Sequence, residues 1–399
     1  MSAIKSALVI GGGIAGPVTA LALAKAGIQA TVHEAHSRGD DVGAMLTVAP
    51  NGLAALETVG LREAVEAVGN PLRTMVMEKG NGKPLMNVPG LPGLPLSRVL
   101  RRADLFAAIR AGAEAQGVVV HDGQRLTHVE EHPDGVTAHF DDGTTAHADL
   151  LVGADGIHST VRGLIDPAAP GPEYTGLMSF GFGDMRAGFT PGDLDSMHFA
   201  FGKRSFYGYW TQPDGSDVFF SNHPREQPMT LAEARAVPKS EWLAELRAAH
   251  VGDRPGERLF GSVTEERMLV AGPMERMPKL PHWFRDRMVL VGDAAHAPSS
   301  SSGQGASLAL ESAIELARCL RDIDDLPAAL AKYVSLRRPR VEAISEQAVK
   351  TNNGKTAGPV AAFVFGLIMP IATRTFLRPE KMFGPVHRFR VDWDERVTA

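Results

Sequence analysis

Short runs of apolar and β-branched residues recur along the chain, and several of them end at glycine. They occupy residues 7–10, 30–33, 118–120, 150–152 and 288–291. Runs of this length, bounded by turn residues, are typical of strands that are buried on both faces. Residues 14–26 are rich in alanine and leucine and predict a helix between the first two strands. The pattern therefore predicts an α/β fold with a largely parallel sheet.

A second pattern runs from about residue 173 to residue 269. There, Met178, Phe180 and Phe182 alternate with smaller residues, and Phe206 and Trp210 alternate with tyrosines in the same manner. Alternation with a period of two predicts an antiparallel or mixed sheet with one aromatic-rich face.

Composition narrows the functional classes. The chain has 399 residues, 44% hydrophobic and 22% charged, with a formal net charge of −5. This length predicts two domains or one domain with a large insertion, and the charge argues against a nucleic-acid partner. The single cysteine, Cys319, predicts a reducing, cytoplasmic setting. The apolar run at residues 7–10 breaks too early for a signal peptide.

Residues 357–373 are the stretch most similar to a membrane span. They carry no charge, but they are shorter than the ~20 residues that a bilayer needs, and they include Pro359 and Pro370. We interpret them as a buried or partner-facing helical segment, so membrane contact is not favoured. The sequence does not decide whether the chain forms a homodimer.

A predicted meander of strands between residues 117 and 150 carries five histidines: His121, His128, His132, His139 and His147. Their spacing is not that of metal ligands, and no carboxylate or cysteine cluster supports them. Solvated strand faces are the better interpretation, and no metal is predicted.

The first candidate site follows the first strand. Gly11, Gly13 and Gly16 form a G-x-G-x-x-G pattern that allows a tight turn, a close approach to a pyrophosphate and close helix packing. The helix start at Ile14 and Ala15 would direct N–H groups at the phosphates.

An acid ends the second strand. Glu34 lies eighteen residues after Gly16, where a carboxylate can accept the hydroxyls of an adenosine ribose, with Ala35 and Arg38 as neighbours in the site. The ribose contact predicts FAD or NAD.

Two later motifs decide between these cofactors. Asp155 and Gly156 follow one predicted parallel strand, and Gly292 and Asp293 follow another. Ligands collect at such strand ends, and Asp293 can accept hydrogen bonds from sugar-alcohol hydroxyls.

After a serine-rich loop, Gly303, Gly305 and Ala306 open a long helix. Its N–H groups can stabilise the negative charge of a reduced isoalloxazine ring, which a nicotinamide does not develop. FAD is therefore favoured.

Together, the three motifs resemble those of the class A flavoprotein monooxygenases of the para-hydroxybenzoate hydroxylase type, over nearly the whole chain. Within this resemblance, Arg102 matches an arginine that contacts the flavin's pyrophosphate or ribityl region. Arg162 completes the run that begins at Asp155, and His296 matches a histidine that is more often structural than catalytic. One departure is Ser300, which stands where relatives commonly carry proline, so the shape of the loop over the flavin is open.

The resemblance implies a discontinuous Rossmann-type FAD-binding domain, similar to that of glutathione reductase, with an inserted mixed β-sheet substrate domain. The FAD-binding parts would be residues 1–71, 99–172 and 271–336. The substrate domain would comprise residues 72–98 and 173–270, and residues 337–399 would form a C-terminal helical segment.

The resemblance also implies a reaction. NAD(P)H would reduce a noncovalent FAD, O2 would add to the flavin as a C4a-hydroperoxide, and a small aromatic or polycyclic substrate would be hydroxylated. Tyr207, Tyr209 and His223 lie on the aromatic strands and are the candidates to orient that substrate or remove a proton.

Other functions share the cofactor motifs. A flavin dehydrogenase or reductase without oxygen transfer is one alternative, and a flavoprotein that binds and shields a metabolite without turnover is another. The W-x-W-x-I-P signature of flavin halogenases is absent from the sequence. A plain NAD dehydrogenase would leave the motif at Asp293 unexplained.

Overall fold

Strands and helices alternate through the first third of the chain and again near its C-terminal end. The computed structural model describes residues 4–37, 45–185, 194–212, 214–355 and 379–398. Its strands are β1 (Ser6–Ile10), β2 (Gln29–Glu34), β3 (Met45–Val48), β4 (Asn70–Leu72), β5 (Thr74–Lys79), β6 (Pro84–Pro89), β7 (Ser97–Arg101), β8 (Val119–Asp122), β9 (Leu126–His132), β10 (Gly135–Phe140), β11 (Thr145–Ala148), β12 (Leu150–Gly153), β13 (Glu173–Met185), β14 (Ser196–Phe201), β15 (Phe206–Thr211), β16 (Asp217–Pro224), β17 (Met268–Arg276), β18 (Phe284–Arg285) and β19 (Met288–Leu290).

The helices are α1 (Ala15–Lys25), α2 (Pro50–Thr58), α3 (Arg62–Val68), α4 (Arg102–Ala115), α5 (Thr160–Ile165), α6 (Leu231–Ala236), α7 (Lys239–Ala249), α8 (Arg254–Gly261), α9 (Asp293–His296), α10 (Gly305–Asp322), α11 (Leu326–Lys355) and α12 (Pro379–His387). Short 3-10 turns lie at Glu265–Arg267 and Ser300–Ser302.

One sheet has the strand order β18-β19-β12-β1-β2-β8. All of its strand pairs are parallel except the pair of β18 with β19. The predicted α/β class is confirmed. Because parallel strands end at the same edge, β1, β2 and β12 bring Ile10, Glu34 and Gly153 together, although these residues are far apart in sequence.

Helices α1 and α10 pack beside this sheet. Every residue of α10 from Ser307 to Leu320 is buried, including two acids and one arginine. A helix that is apolar on most sides and buried throughout belongs to the interior of the domain. Its amino end at Gly305 faces the edge where the glycine motifs meet.

A larger sheet has the order β17-β13-β16-β15-β14-β5-β6. Helices α6, α7 and α8 cover one of its faces, where Tyr207, Phe180 and Trp242 share a buried cluster. On the opposite face, Trp210 and Val218 cluster with Val99, which belongs to β7. This second face is therefore turned toward the small sheet β3-β7-β4.

Strands β9, β10 and β11 form the predicted meander as a separate sheet. In the described parts of the chain, no helix has the length and apolar character that crossing a membrane requires. The uncharged stretch at residues 357–373 lies outside those parts.

Candidate active site

The turn from β1 to α1 brings two glycines into contact. A Cβ atom on Gly16 would lie 1.8 Å from the carbonyl oxygen of Gly11, so a larger residue does not fit. Helix α1 begins at Ala15 after Ile14, without a side-chain cap and without an acidic residue in its first turn. Its N-terminus therefore presents backbone N–H groups that can bind an anionic group.

Glu34 ends β2 beside this turn. One carboxylate oxygen accepts a hydrogen bond from the Gly12 N–H at 2.6 Å. The other accepts one from the His36 N–H at 2.9 Å and lies 2.8 Å from His36 Nδ1. These contacts fix the carboxylate next to the glycine turn, as a ribose contact requires. Ala35 follows in the chain, and Arg38 lies outside the described residues.

Asp155 supports the start of α5, whose N-cap residue is Ser159. Its carboxylate accepts hydrogen bonds from Ser159 Oγ at 2.5 Å, from the Thr160 N–H at 2.7 Å and from the Val161 N–H at 3.1 Å. Burial raises the pKa of this carboxyl, and the hydrogen bonds oppose the shift. Asp155 thus stabilises the N-terminus of α5 and orders the loop that begins at Gly156.

Arg162 connects the second motif to the third. Its buried guanidinium donates hydrogen bonds to the Ile157 carbonyl at 2.9 Å and to the Ala294 carbonyl at 3.2 Å. These two carbonyls are far apart in sequence, and Arg162 bonds to both. It therefore fixes the distance between two loops at the sheet edge.

Gly292 is the point where three segments meet. Its φ is +59°, and a Cβ atom there would lie 3.1 Å from the Cβ atoms of Ala15 and Ala309. A side chain would separate α1 from α10, so the glycine keeps the two helix starts close together.

Asp293 follows immediately, with a half-buried side chain. Burial raises the pKa of its carboxyl, and the positive charge of Arg102 opposes that shift. A Cβ atom on Gly305 would lie 4.0 Å from its Oδ1, so the carboxylate lies near the start of α10. Within the described ranges, no group donates a hydrogen bond to it. This carboxylate is suited to accept hydrogen bonds from a bound polyol.

The start of α10 is also uncapped. Gln304 precedes the helix without a side-chain cap, and the first turn, with Gly305 and Ala306, has no acidic residue. Gly303 adopts a left-handed conformation with φ of +61°. The N-terminus of α10 therefore presents a positive potential beside Asp293.

Hydrogen bonds from α11 hold the serine loop, residues 299–302, that precedes α10. Asn352 of α11 donates a hydrogen bond from Nδ2 to Ser299 Oγ at 2.7 Å, and its Oδ1 accepts one from the Ser301 hydroxyl. Ser300, the position where the sequence departs from the resembled motif, is exposed. Side-chain hydrogen bonds thus order a loop that a proline ring would otherwise stiffen.

Two neighbouring arginines behave differently. Arg101 forms a bidentate pair with Asp104 at 2.7 and 2.8 Å. The Arg102 guanidinium instead lies over the Phe106 ring, 5.0 Å from its centre, and interacts electrostatically with Asp293. The Phe106 ring also lies beside Gly13, 3.6 Å from the position of a Cβ atom. Arg102 therefore lies near Asp293, and the Phe106 ring under its guanidinium lies near the glycine turn.

Sequence reasoning missed the buried polar network that supports α10. The amide of Asn51 donates hydrogen bonds to Gln304 Oε1 at 2.9 Å and to Glu311 Oε1 at 2.7 Å. Glu311 also pairs with Arg337 at 2.7 Å and with Arg340 at 2.8 Å. The charged residues within the mostly apolar sequence of α10 were the available signal, because buried acids need charged partners.

His296 belongs to this interior. Its Nε2 lies 2.8 Å from Ser312 Oγ, and its ring packs on Trp283. Burial, with the nearby Arg337 charge, lowers its pKa to about 3. The ring is therefore neutral at physiological pH, which fits a structural role.

The structure does not bring Tyr207, Tyr209 and His223 to the cofactor edge. Tyr207 accepts a hydrogen bond from the Gly256 N–H at 3.1 Å, and Tyr209 donates one to Glu78 at 2.7 Å. Burial raises the pKa of both phenols.

His223 lies between Ser205 Oγ at 2.6 Å and Glu245 Oε1 at 2.9 Å, and burial lowers its pKa. All three predicted side chains point to the face that α6, α7 and α8 cover. The predicted alternation of side chains along these strands is confirmed, but it does not indicate which face of the sheet the helices cover. We therefore do not assign these residues to substrate contact.

The chain matches the FAD binding domain family over residues 5–348. It is 31% identical to a FAD-dependent urate hydroxylase of Klebsiella pneumoniae, over 84% of this chain and 86% of that protein. It is 32% identical to a 3-amino-4-hydroxybenzoate 2-monooxygenase of Streptomyces cremeus, over 85% of each.

Among solved structures, Klebsiella pneumoniae HpxO complexed with FAD and uric acid superposes with a TM-score of 0.81. The match covers 93% of this chain and 94% of that one, at 26% identity. The sequence match, the fold and the residues gathered at the sheet edge agree. The chain therefore belongs to the class A aromatic hydroxylases, the FAD-dependent monooxygenases, and FAD is its cofactor.

Proposed function

We propose that this monooxygenase hydroxylates a small, uncharged aromatic molecule with O2 and NAD(P)H. The observation that carries the proposal is the second face of the larger sheet. On the three central strands of that face, β14, β15 and β16, no side chain is charged. The residues there are Met197, Phe199, Phe201, Phe206, Gly208, Trp210, Val218, Phe220, Asn222 and Pro224.

The aromatic rings of this face form one cluster. Phe206 lies 5.3 Å from Phe201, 6.1 Å from Phe199 and 6.2 Å from Phe220, measured between ring centres. Phe199 and Phe220 are only half-buried. A partly exposed aromatic cluster favours a planar apolar ligand, which stacks on it or meets it edge-on.

Gly208 makes room for one of these rings. A Cβ atom there would lie 2.4 Å from a Phe220 ring carbon, so the ring lies close against the strand at that point. The resulting surface is low and flat, as the floor of a pocket for a planar molecule requires.

This face carries two polar side chains: the Trp210 indole, whose N–H is buried without a hydrogen-bond partner among the described residues, and Asn222. Asn222 Oδ1 accepts a hydrogen bond from Ser179 Oγ at 3.3 Å, which leaves the amide N–H groups able to donate. A carbonyl or phenolic oxygen of the substrate is the complementary acceptor. A carboxylate has no cationic partner on these three strands, and burying it there would be costly.

FAD fits the residues of the sheet edge. The uncapped N-termini of α1 and α10, the half-buried Asp293 carboxylate and the Gly16 turn leave space and hydrogen-bonding groups for a dinucleotide. When bound, FAD supplies the redox chemistry that activates oxygen. We assign Glu34 to the ribose, Arg102 to the phosphate region and Asp293 to the ribityl hydroxyls.

The separate sheets support the finer domain division. We assign residues 1–71, 99–172 and 271–336 to a discontinuous Rossmann-type domain for FAD, and residues 72–98 and 173–270 to the substrate domain. We assign residues 337–399 to a C-terminal helical segment, of which Asn352 supports the serine loop. The buried thiol of Cys319 fits a reducing cytoplasm.

A matched panel of aromatic compounds tests the substrate class. Each phenolic or heteroaromatic carboxylate is paired with its neutral amide or methyl ester, and NAD(P)H oxidation, O2 uptake and oxygenated product are measured. We expect kcat/KM to favour the neutral member by about tenfold or more, since an unpaired buried charge is strongly disfavoured. Equal or better turnover of carboxylates would refute the substrate class. NAD(P)H-independent oxidation without incorporation of oxygen from O2 would refute monooxygenation itself.

A further inference from the structure

We propose a surface site for a divalent transition metal, such as Zn²⁺, on the small sheet of β9, β10 and β11. It consists of His128, Glu130 and His139, whose candidate ligand atoms all lie within 4.8 Å of one another. This grouping corrects the expectation that the histidines of the meander lack a supporting carboxylate. The sequence separation of eleven residues between the histidines concealed it, because strand pairing brings them together.

Pairing between β9 and β10 builds the site. His128 lies directly opposite His139, and their rings stack with centres 4.0 Å apart. His139 Nε2 lies 3.4 Å from Glu130 Oε1. A tetrahedral zinc ion with bonds of about 2.0–2.1 Å holds its ligand atoms about 3.4 Å apart. The histidine–glutamate pair already has that spacing, and a ligand atom of His128 lies within 4.8 Å of both.

A β-bulge prepares His128 as a ligand. The pairing register shifts between His139 and Phe140, so Thr127 lies beside His128 as an extra residue on β9. Thr127 Oγ1 donates its hydrogen to the His139 carbonyl at 2.9 Å. It therefore accepts from His128 Nδ1, 3.3 Å away, which leaves the lone pair of Nε2 for a metal. An outer hydrogen bond of this kind is the usual way in which proteins orient a metal-binding histidine.

His139 completes the set. Its Nε2 is buried and has no hydrogen-bond partner among the described residues. A metal ion would satisfy this atom and would leave one coordination position open to water. Because the ligands come from two strands, the bound ion would clip β9 to β10.

Two other histidines on the same sheet provide a matched control. His132 and His147 have ring centres 5.9 Å apart, and the Thr137 hydroxyl lies between their ring nitrogens at 3.1 Å from each. No glutamate joins them in a ligand group within the described residues. Replacing His132 should therefore leave the proposed site intact.

The experiment titrates Zn²⁺ into untagged, FAD-loaded full-length protein and measures binding by calorimetry and by equilibrium dialysis with metal analysis. We expect one strong site in the wild type and in His132→Ala. In His139→Ala and His128→Ala, Zn²⁺ affinity should fall by more than about tenfold. Loss of a residue that only hydrogen-bonds a ligand usually costs about tenfold or more in metal affinity, and loss of the ligand itself costs more. Glu130→Gln should weaken binding while keeping both histidines.

Flavin content and circular dichroism establish that each variant is folded. Hydrogen exchange in β9 and β10 should slow when Zn²⁺ is added to the wild type, and it should not change in His139→Ala. Wild-type protein without stoichiometric Zn²⁺ binding, or a folded His139→Ala variant that binds as the wild type does, would overturn the proposal.

Discussion

Glu311 and Arg337 form an ion pair of 2.7 Å between side chains that expose only 1% and 0% of their surfaces. Glu311 belongs to α10, whose N-terminus lies beside Asp293, and Arg337 belongs to α11, which also holds the serine loop through Asn352. The pair thus joins the helix proposed to stabilise the reduced flavin to the helix that orders the loop before it.

Glu311→Ala should destabilise the protein by about 3–5 kcal/mol, because it leaves the Arg337 guanidinium buried without its counter-charge. FAD should be retained poorly as α10 loosens. Denaturant unfolding and the flavin content of the purified protein measure both effects. The matched control is Glu346→Ala, which removes an exposed partner of Lys279 and should change stability little. Equal losses in the two variants would contradict a special role for the buried pair.

The affinity for FAD should depend on pH through Asp293. Burial raises the pKa of this carboxyl, with Arg102 opposing, and hydroxyl donors from FAD would favour its charged form. The pKa in the complex is then lower than in the apoprotein, so binding releases a proton at pH values between the two. Affinity should therefore fall with decreasing pH through that range, by up to about tenfold per pH unit, and be constant above it.

Fluorescence titration of apoprotein with FAD measures this slope. Asp293→Asn keeps the shape of the side chain but cannot ionise, so its affinity should be lower at neutral pH and nearly independent of pH. Parallel slopes in the variant and the wild type would assign the proton to another group.

The cofactor edge could be predicted from sequence because its chemistry is local. Gly11, Gly16 and Glu34 follow strands that the apolar pattern marks, and strand ends of a parallel sheet meet at one edge. The later motif at Asp293 falls at the same edge for the same reason. A glycine turn and an acid at a strand end each have few structural uses, so the residue type directly indicates where the residue lies in the fold.

The substrate side could not be predicted in the same way. Period-two alternation separates Tyr209 from Trp210, but it does not indicate which of the two faces α7 will cover. That choice depends on packing between segments distant in sequence, such as Trp210 with Val99. The metal ligands His128 and His139 were missed for a related reason, since register between strands is set by tertiary structure.

Asp155→Ala should act mainly on local stability. The carboxylate accepts from two N–H groups of the first turn of α5 and from the hydroxyl of Ser159, the N-cap residue, and loss of capping contacts costs about 0.5–2 kcal/mol. FAD affinity of the folded variant should decrease less than in Asp293→Ala. Denaturation midpoints and FAD dissociation constants, measured on the same preparations, separate the two effects. A larger loss of FAD affinity in Asp155→Ala than in Asp293→Ala would make Asp155 a direct cofactor contact.

Phe220 and Tyr209 lie on adjacent strands and point to opposite faces of the substrate sheet, so they form a matched test of which face meets the substrate. Phe220→Ala removes a ring from the uncharged face and should lower kcat/KM for neutral aromatics by about tenfold or more, because a large apolar contact is lost. FAD content should not change.

Tyr209→Phe removes the hydrogen bond to Glu78 and should cost about 1–3 kcal/mol of stability, since a buried acceptor loses its donor. Its kcat/KM should be close to that of the wild type, since the ring stays packed beneath the helices. If Tyr209→Phe lost turnover while Phe220→Ala retained it, the substrate would lie on the helix-covered face, and the proposed pocket would be wrong.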